Sequence, residues 1–180
     1  MPNDPGSPDP SHERASFLER LVAEQRAPLT RYAARLLGDP DRARDVAQDA
    51  FIKLLLQPPG EIDGHAVEWL FTVCRHRSFD ILRKEGRMKA WENDRLEAMA
   101  ATEPRPGHAV ETEEARAALL RLISALPPKQ QEAVRLKFQN GFSYKEIARI
   151  TGSSVSAVGF LIHTALTRLR REWAAQEATG

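Results

Sequence analysis

Apolar residues recur every three or four positions along nearly the whole chain, the spacing that places them on one face of an α-helix. No stretch shows the sustained alternation of a half-buried strand, and β-branched residues are sparse. The segment from Pro40 to about Leu56 shows the helical pattern most clearly, with Asp39 placed as its N-cap and proline at its first position. Its predicted buried face is Ala43, Val46, Ala47, Ala50, Phe51, Leu54 and Leu55. The pattern predicts an all-α protein.

Other helices follow from the same periodicity. Residues 1–12 are rich in proline and are predicted to form a disordered tail. A first helix from about Ser16 is expected to be interrupted or restarted at Pro28, because proline cannot donate the backbone hydrogen bond that a helix interior needs. Another helix is expected from about Ala66 to Lys84, with basic residues in its C-terminal half.

A break in the pattern separates two parts of the chain. Residues 92–111 lose the apolar period and contain two prolines and a glycine, which predicts a flexible linker. Helical periodicity returns afterwards, with Pro128 at the expected start of a helix. We therefore predict two small helical domains, residues 13–91 and 112–175, joined by a flexible acidic linker.

The C-terminal part carries the pattern of a helix-turn-helix. Ser143 and Glu146 are spaced as a capping box, so a short helix should begin between them, and Ser154 is placed as the N-cap of a second helix. The small, turn and apolar positions of such a motif hold Ala148, Gly152 and Val158. In a helix-turn-helix the second helix enters the major groove of DNA. A helical hairpin with no role in DNA binding remains open from these residues alone.

The near-neutral net charge of +1 conceals a block pattern. Residues 69–91 carry a net charge of +4 and residues 115–180 a net charge of +6, whereas residues 92–114 carry −5. Two basic blocks on either side of an acidic one predict two separate surfaces for a polyanion. Ordinary solvated helix faces are the alternative.

The sequence argues against catalytic and metal chemistry. A single cysteine, Cys74, excludes an intramolecular disulfide and any multi-cysteine zinc site, and we expect it to be a small core residue. The five histidines show no metal-ligand spacing, and no glycine-rich phosphate loop or nucleophile motif occurs. We expect no enzyme activity and no cofactor. No signal peptide and no apolar run of about 20 residues is present, so we expect a soluble, cytoplasmic protein.

Three stretches, taken together, are similar to one protein family. LPPKQQEAVRLKFQNGFSYKEIARITGSSVSAV resembles the C-terminal domain of bacterial sigma factors, and LLGDPDRARDVAQDAFIKLL resembles the helix of their N-terminal domain that binds core RNA polymerase. WLFTVCRHRSFDILRKEGR resembles the segment that melts the promoter and reads the −10 element. With only two domains, the chain is identified as a member of the small extracytoplasmic-function (ECF) group of the sigma-70 family.

The resemblance implies roles for two surfaces of the N-terminal domain. The helix from Pro40 would dock on the clamp helices of the largest polymerase subunit through Asp41, Asp45, Gln48 and Asp49. The following segment would hold the −10 strand through Arg75, His76, Arg77, Phe79, Arg83, Lys84 and Arg87. The family often has asparagine where this chain has His76. From the residues alone, a solvated helix face with acidic groups near a helix N-terminus remains open for the first surface.

The resemblance also implies that the helix-turn-helix binds the −35 element. Its predicted contacts are Lys145, Arg149, Ser153, Ser154, Ser156, Ala157, Phe160, His163, Thr164 and Arg168. Many relatives place Lys or Arg on the groove-facing side of the second helix, where this chain is expected to have Gly159, Leu161 and Thr164. Phosphate affinity would come from flanking basic residues, and Phe160 and Ala157 are available for thymine methyl groups. We therefore expect the isolated domain to bind duplex DNA weakly.

The partners implied are the RNA polymerase core enzyme, promoter DNA and an anti-sigma protein, with no insertion into a membrane. The acidic linker would run through the active-site and RNA-exit region of the polymerase and be displaced by growing RNA. Two other readings remain open from the sequence. One is a stand-alone, dimeric helix-turn-helix repressor or activator, and the other is a protein-interaction adaptor whose uncharged second helix meets another protein.

Overall fold

A computed structural model describes residues 10–62, 64–92 and 113–177, and in these ranges all the regular secondary structure is α-helix. The eight helices of the described residues are α1 Pro10–Leu37, α2 Pro40–Leu55, α3 Ala66–Lys84, α4 Lys89–Glu92, α5 Glu113–Ser124, α6 Pro128–Phe138, α7 Tyr144–Thr151 and α8 Val155–Glu177. The prediction of an all-α fold is confirmed. The greater part of the predicted linker, residues 93–111, lies outside the described residues, as do residues 1–9 of the predicted tail.

The chain divides into two compact units, Met1–Gly86 and Arg87–Gly180. Gly86, at the division, has a φ of +68°, a backbone conformation that only glycine adopts readily. The sequence-based prediction places the end of the first domain at residue 91. The division of the structure comes five residues earlier, directly after the C-terminus of α3.

The first unit is a bundle in which α1, α2 and α3 pack against one another. Its core includes side chains that are almost fully enclosed, among them Leu29, Leu54, Leu70 and Phe71. The ring of Tyr32 on α1 packs against that of Phe71 on α3, with centroids 5.1 Å apart and the ring planes inclined at 42°. Burying a large apolar side chain stabilises a fold by about 1.5–3 kcal/mol, so these contacts fix the position of α3 in the bundle.

Two expectations for α1 are corrected. The helix begins at Pro10, so residues 10–12 of the predicted tail are helical, as proline in a first helical turn permits. The helix also continues through Pro28 without a break. Leu21 before Pro28 and Leu29 after it are both buried. Their burial on one continuous stripe offsets the cost of an internal proline, about 3 kcal/mol.

Helix α2 matches its prediction except at its C-terminal end. The Asp39 side chain accepts hydrogen bonds from the backbone N–H groups of Asp41 and Arg42, at 3.0 and 3.1 Å, which confirms the predicted N-cap. Leu55, predicted to be buried, is 56% exposed. It lies at the edge of the buried stripe and borders a shallow groove of about 500 Å³, together with Leu18 and Val22 of α1.

The second unit contains the predicted helix-turn-helix. The Ser143 N–H donates to Glu146 Oε2 at 2.7 Å, and the Glu146 N–H donates to Ser143 Oγ at 3.3 Å, which confirms the capping box. Gly152 has a φ of +67°, and the Ala157 N–H donates to Ser154 Oγ at 3.0 Å. Helices α7 and α8 are bent by 104° relative to each other, within the range of helix-turn-helix motifs.

The core of the second unit holds α8 against α5 and α6. A cluster of buried side chains comprises Ile123, Leu126, Val134, Ala165 and Leu169. The start of α6 at Pro128 and the burial of Val158 and Ile162 on α8 agree with the sequence pattern. In the described ranges no single helix is long and apolar enough to cross a membrane; the bent pair α7–α8 meets the length and composition criteria only when its two helices are taken together.

Candidate polymerase-binding and nucleic-acid-binding surfaces

The four residues predicted to bind polymerase form an exposed stripe on α2, which we call the acidic stripe: Asp41, Asp45, Gln48 and Asp49. The opposite face of the helix carries the buried alanines, Val46, Phe51 and Leu54, so core packing fixes the direction in which the stripe faces. Asp41 is paired with Arg44 three residues later. The structure therefore presents the stripe to solvent on a rigid helix, the arrangement that docking on a basic partner requires.

An ion pair joins the acidic stripe to the basic half of α3. Asp49 Oδ2 lies 3.7 Å from Arg77 Nε, and each side chain remains about half exposed. A second ion pair joins Arg42 of α2 to Glu85, which caps the C-terminus of α3. The Asp49–Arg77 pair therefore joins a predicted polymerase-binding residue to a predicted DNA-binding residue on an adjacent helix of the same unit.

The C-terminal half of α3 presents a mixed basic and aromatic surface. The guanidinium of Arg75 lies 4.0 Å from the centre of the Phe79 ring, one helical turn away, in a cation–π contact. His76 and Arg77 are exposed, as are Arg83 and Lys84 at the end of the helix. Arg83 Nη1 lies 2.9 Å from Asp80 Oδ1. Positive groups beside a ring held in place can bind phosphates and stack on a base.

Arg87, the last predicted −10 contact, is exposed and follows the division between the two units. The other six predicted −10 residues all belong to α3. The structure therefore brings these six together on one helix.

Behind this surface, α3 is anchored by buried groups. Cys74 is fully enclosed, as expected for a core residue, and burial raises the pKa of its thiol to about 12. Ser78 Oγ donates to the Cys74 carbonyl oxygen at 2.8 Å within the same helix. Phe71 is fully buried, whereas Trp69 is only partly buried. The thiol is held protonated, which leaves α3 without a reactive nucleophile at this position.

Most of the predicted −35 residues are exposed on the helix-turn-helix. Those exposed to solvent are Lys145, Arg149, Ser153, Ser154, Ser156, Phe160 and Arg168, whereas Ala157, His163 and Thr164 are partly buried. The His163 Nε2 atom is enclosed and has no hydrogen-bond partner among the described residues.

The expected groove-facing positions of α8 need a correction. Leu161 is only 9% exposed and packs with the core, so its prediction as a groove-facing residue was wrong. Gly159 lies beneath the ring of Tyr144, since a Cβ atom at this position would be 3.7 Å from that ring. At Gly159, therefore, α8 faces α7 at a position that the resemblance assigned to the groove.

The sequence missed several surface features. Val155, at the start of α8, is 45% exposed, and Phe138, at the end of α6, is 60% exposed. Lys137 Nζ lies 5.6 Å from the centre of the Tyr144 ring. The exposed apolar residues had no periodic signal, but the lack of charge around Val155 was visible in the sequence. Across the described residues, no cluster of three or more His, Cys, Asp or Glu side chains is arranged to hold a metal ion.

Comparison with known proteins gives the same two-part division. The Sigma-70 region 2 family matches residues 21–88, and the Sigma-70 region 4 family matches residues 116–169. The two matches fall on the two helical units. Region 2 covers α2 and α3, and region 4 covers the helix-turn-helix.

Three curated relatives align with most of this chain. The RNA polymerase sigma-E factor of Streptomyces avermitilis is 32% identical over 166 residues, which cover 90% of this chain and 88% of that protein. The ECF RNA polymerase sigma factor EcfG of Rhodopseudomonas palustris is 30% identical, and the alignment covers 78% of this chain and 76% of that protein. The chain matches 60% of the length of ECF RNA polymerase sigma factor SigE from Mycolicibacterium smegmatis, with 29% identity.

A solved structure shares the fold. The sigma factor RpoE of Bartonella quintana, crystallised with the anti-sigma factor NepR, aligns with a TM-score of 0.59 and 23% identity. The alignment covers 85% of this chain and 94% of that one. Together with the relatives and the two family matches, it leads to one assignment: the chain belongs to the extracytoplasmic-function group of the sigma-70 family of sigma factors.

Proposed function

We propose that this sigma factor recognises promoters through three surfaces: the acidic stripe on α2, the basic and aromatic half of α3, and the helix-turn-helix. A sigma factor directs core RNA polymerase to promoters and initiates transcription. The observation that carries the residue assignment is the geometry of the first unit. One rigid bundle presents an exposed acidic stripe and, on the adjacent helix, an exposed basic surface.

The acidic stripe suits docking on the clamp helices of the largest polymerase subunit. Carboxylates on a rigid helix can form charge-assisted hydrogen bonds with basic groups of a partner. They also increase the rate of encounter with a positively charged surface. Only Asp41 lies in the first turn of α2, so stabilisation of the helix dipole does not account for Asp45 and Asp49.

The α3 surface suits capture of the opened −10 strand. Arg77, Arg83 and Lys84 are placed for phosphate contacts, which give affinity without sequence preference. The stacked pair of Arg75 and Phe79 offers a flat surface for an unstacked base. His76, exposed between them, supplies ring nitrogens that can reach a base edge.

The helix-turn-helix suits the −35 duplex. Lys145 and Arg149 on α7 and Arg168 on α8 are exposed around the second helix. They would neutralise phosphates while α8 lies in the major groove. Because the first two turns of α8 carry no charge, this unit alone should bind DNA weakly and depend on the polymerase complex for its affinity.

The remaining assignments belong to this proposal as well. An anti-sigma protein is a partner of the sigma factor in the similar Bartonella quintana structure, and we extend that kind of partner to this chain. The chain acts in the cytoplasm, where core polymerase and promoters are found, and the polymerase supplies all catalysis. A stand-alone dimeric regulator and an adaptor are not favoured by the match to both region 2 and region 4.

The test separates strand opening from polymerase binding. Holoenzyme is assembled with Arg83→Ala/Lys84→Ala protein, and opening is measured as the permanganate reactivity of unpaired thymines near −10. We expect core binding to be retained and opening to fall at least about tenfold, the effect of losing two phosphate contacts. The matched control is Arg20→Ala/Arg31→Ala, two exposed basic residues of α1, which should open the promoter normally. Normal opening by the α3 variant would contradict the assignment of this surface.

A further inference from the structure

The exposed face at the start of α8 is uncharged and partly apolar, which is unusual for a helix presented to DNA. Ser156, Phe160 and Thr164 succeed one another at intervals of one turn, and none of them is buried. Phe160 is 39% exposed. Between Ser153 and Thr167 the only ionisable side chain is His163, whose Nε2 atom is enclosed. The groups on this face that can contact a base are hydroxyl groups and one large apolar ring.

We propose that α8 recognises thymine methyl groups in the major groove of its −35 element, with Phe160 as the specificity-determining contact. This inference rests on the proposed function and adds the kind of base that the helix reads. Thymine alone presents a methyl group in the major groove, and apolar side chains such as phenylalanine pack against it. The ring of Phe160 would then lose contact with water and pack against an apolar methyl group, which lowers the free energy of the complex.

The usual reader of guanine is missing from this part of α8. Guanine is recognised through two acceptors on one edge, most often by an arginine or lysine that donates to both. Arg168, the first basic residue of α8, lies eight positions after Phe160, about 12 Å along the helix axis. Lys145 and Arg149 are exposed on α7, the helix that crosses the backbone in this motif. These cations are therefore assigned to phosphates, and they provide the charge that brings an uncharged reading face to DNA.

The geometry of α8 also sets the extent of the element that is read. Residues four apart on a helix are separated by about 6 Å along its axis, nearly two base-pair steps. Ser156 and Thr164 flank Phe160 at this distance on either side, and a hydroxyl group can donate to or accept from any base edge. The predicted element therefore has thymines at its centre and weaker preferences at its ends.

Deoxyuridine provides the test, because this nucleoside differs from thymidine only by the missing methyl group on its base. Promoters used by the reconstituted holoenzyme are first identified from genomic DNA, and one is then synthesised with thymine or deoxyuridine throughout its −35 element. We expect holoenzyme affinity to fall about three- to fourfold for each methyl group contacted, the equivalent of burying one such group. Deoxyuridine placed in the spacer should have no effect.

The protein side of the test uses two phenylalanines. Phe160→Ala should lower affinity for the thymine promoter and abolish the difference between thymine and deoxyuridine. Phe138→Ala removes a more exposed phenylalanine from α6, outside the helix-turn-helix, and should leave the ratio of the two affinities unchanged. A direct methyl contact would be established if the affinities for the thymine and deoxyuridine promoters became equal only in the Phe160 variant.

Three results would overturn the inference while leaving promoter recognition intact. Equal affinities for thymine and deoxyuridine in the unmodified holoenzyme would exclude methyl readout. If the Phe160→Ala holoenzyme still bound the thymine promoter more tightly than the deoxyuridine promoter, DNA shape would explain the preference. Promoters whose use does not depend on the −35 sequence would exclude base readout by α8. Failure of the proposed function would look different, since no promoter would be found in the first step.

Discussion

Asp49 of α2 and Arg77 of α3 form an ion pair that joins the acidic stripe to the basic surface of the same bundle, with Oδ2 3.7 Å from Nε. Each of the two side chains is about half exposed, so solvent weakens the pair and a stronger partner can replace either member. If the stripe docks on polymerase and α3 holds DNA, formation of the holoenzyme competes for Asp49 and leaves Arg77 available for phosphate.

The first prediction concerns this pair. Asp49→Asn removes the carboxylate beside Arg77, and we expect the free protein to bind single-stranded DNA about two- to fivefold more tightly, the range of an exposed ion pair. The measurement is fluorescence anisotropy with a labelled oligonucleotide at several salt concentrations. Asp45→Asn is the matched control, because it removes the same charge from the same stripe. If both variants gained the same affinity for single-stranded DNA, the change in net charge would explain the gain and the ion pair would not.

A second prediction tests polymerase docking by the stripe. Asp45→Arg reverses one exposed charge of α2 and should weaken binding to core polymerase at least about tenfold, because it places like charges against a basic partner. Affinity is measured by titrating labelled protein with core enzyme. Glu61→Arg makes the same change of charge at an exposed position outside the stripe. Similar losses in both variants would argue against a specific docking face.

The third prediction is a dependence of stability on pH. Hydrogen bonds from the Ser143 side chain and backbone to Glu146, with Arg149 and Lys137 nearby, hold the pKa of this carboxyl below its ordinary value of 4.5. A lowered folded-state pKa adds stability that is complete above pH 4.5 and is lost as the pH falls through the folded-state value.

Glu146→Gln separates this titration from the cap itself, because glutamine can still accept the Ser143 N–H bond. We expect chemical denaturation of the original protein to show stability that falls as the pH is lowered below 4.5, and this component of the fall to be absent from the glutamine variant. Identical pH profiles would show that the carboxylate has no part in acid stability. Ser143→Ala should lower stability by about 1 kcal/mol at neutral pH through loss of the cap.

A fourth prediction uses Cys74 as a probe of folding. Its thiol is enclosed, with a pKa raised to about 12 by burial, so it should resist alkylation at pH 8 in the folded protein. The rate of reaction with iodoacetamide should rise steeply at denaturant concentrations that unfold the first unit. Rapid labelling of the folded protein would contradict the packing of α3 described above.

Local patterns in the sequence predicted the helices well. The bounds of α3 and the start of α2 follow from periodicity and capping, which depend on residues within one or two turns. The capping box and the glycine turn between α7 and α8 are equally local, and both are present. Exposure of the acidic stripe also followed from the periodicity of α2, because one face was clearly apolar.

Contacts between helices were beyond the reach of these patterns. Pro28 is tolerated because residues on both sides of it pack against other helices, which no propensity scale includes. Leu55 is exposed although the pattern predicted burial, because it lies at the edge of the apolar stripe, where the neighbouring helix decides burial. The pairing of Asp49 with Arg77 joins distant parts of the sequence and had no signal in either segment.

The most direct test of the central claim is transcription in vitro by purified core RNA polymerase, with and without this protein, on a pool of bacterial genomic promoters. The sigma-factor assignment predicts new and discrete start sites that depend on the protein and share −10 and −35 elements at a fixed spacing. Absence of new transcripts, in a reaction where a known sigma factor activates the same core enzyme, would contradict it.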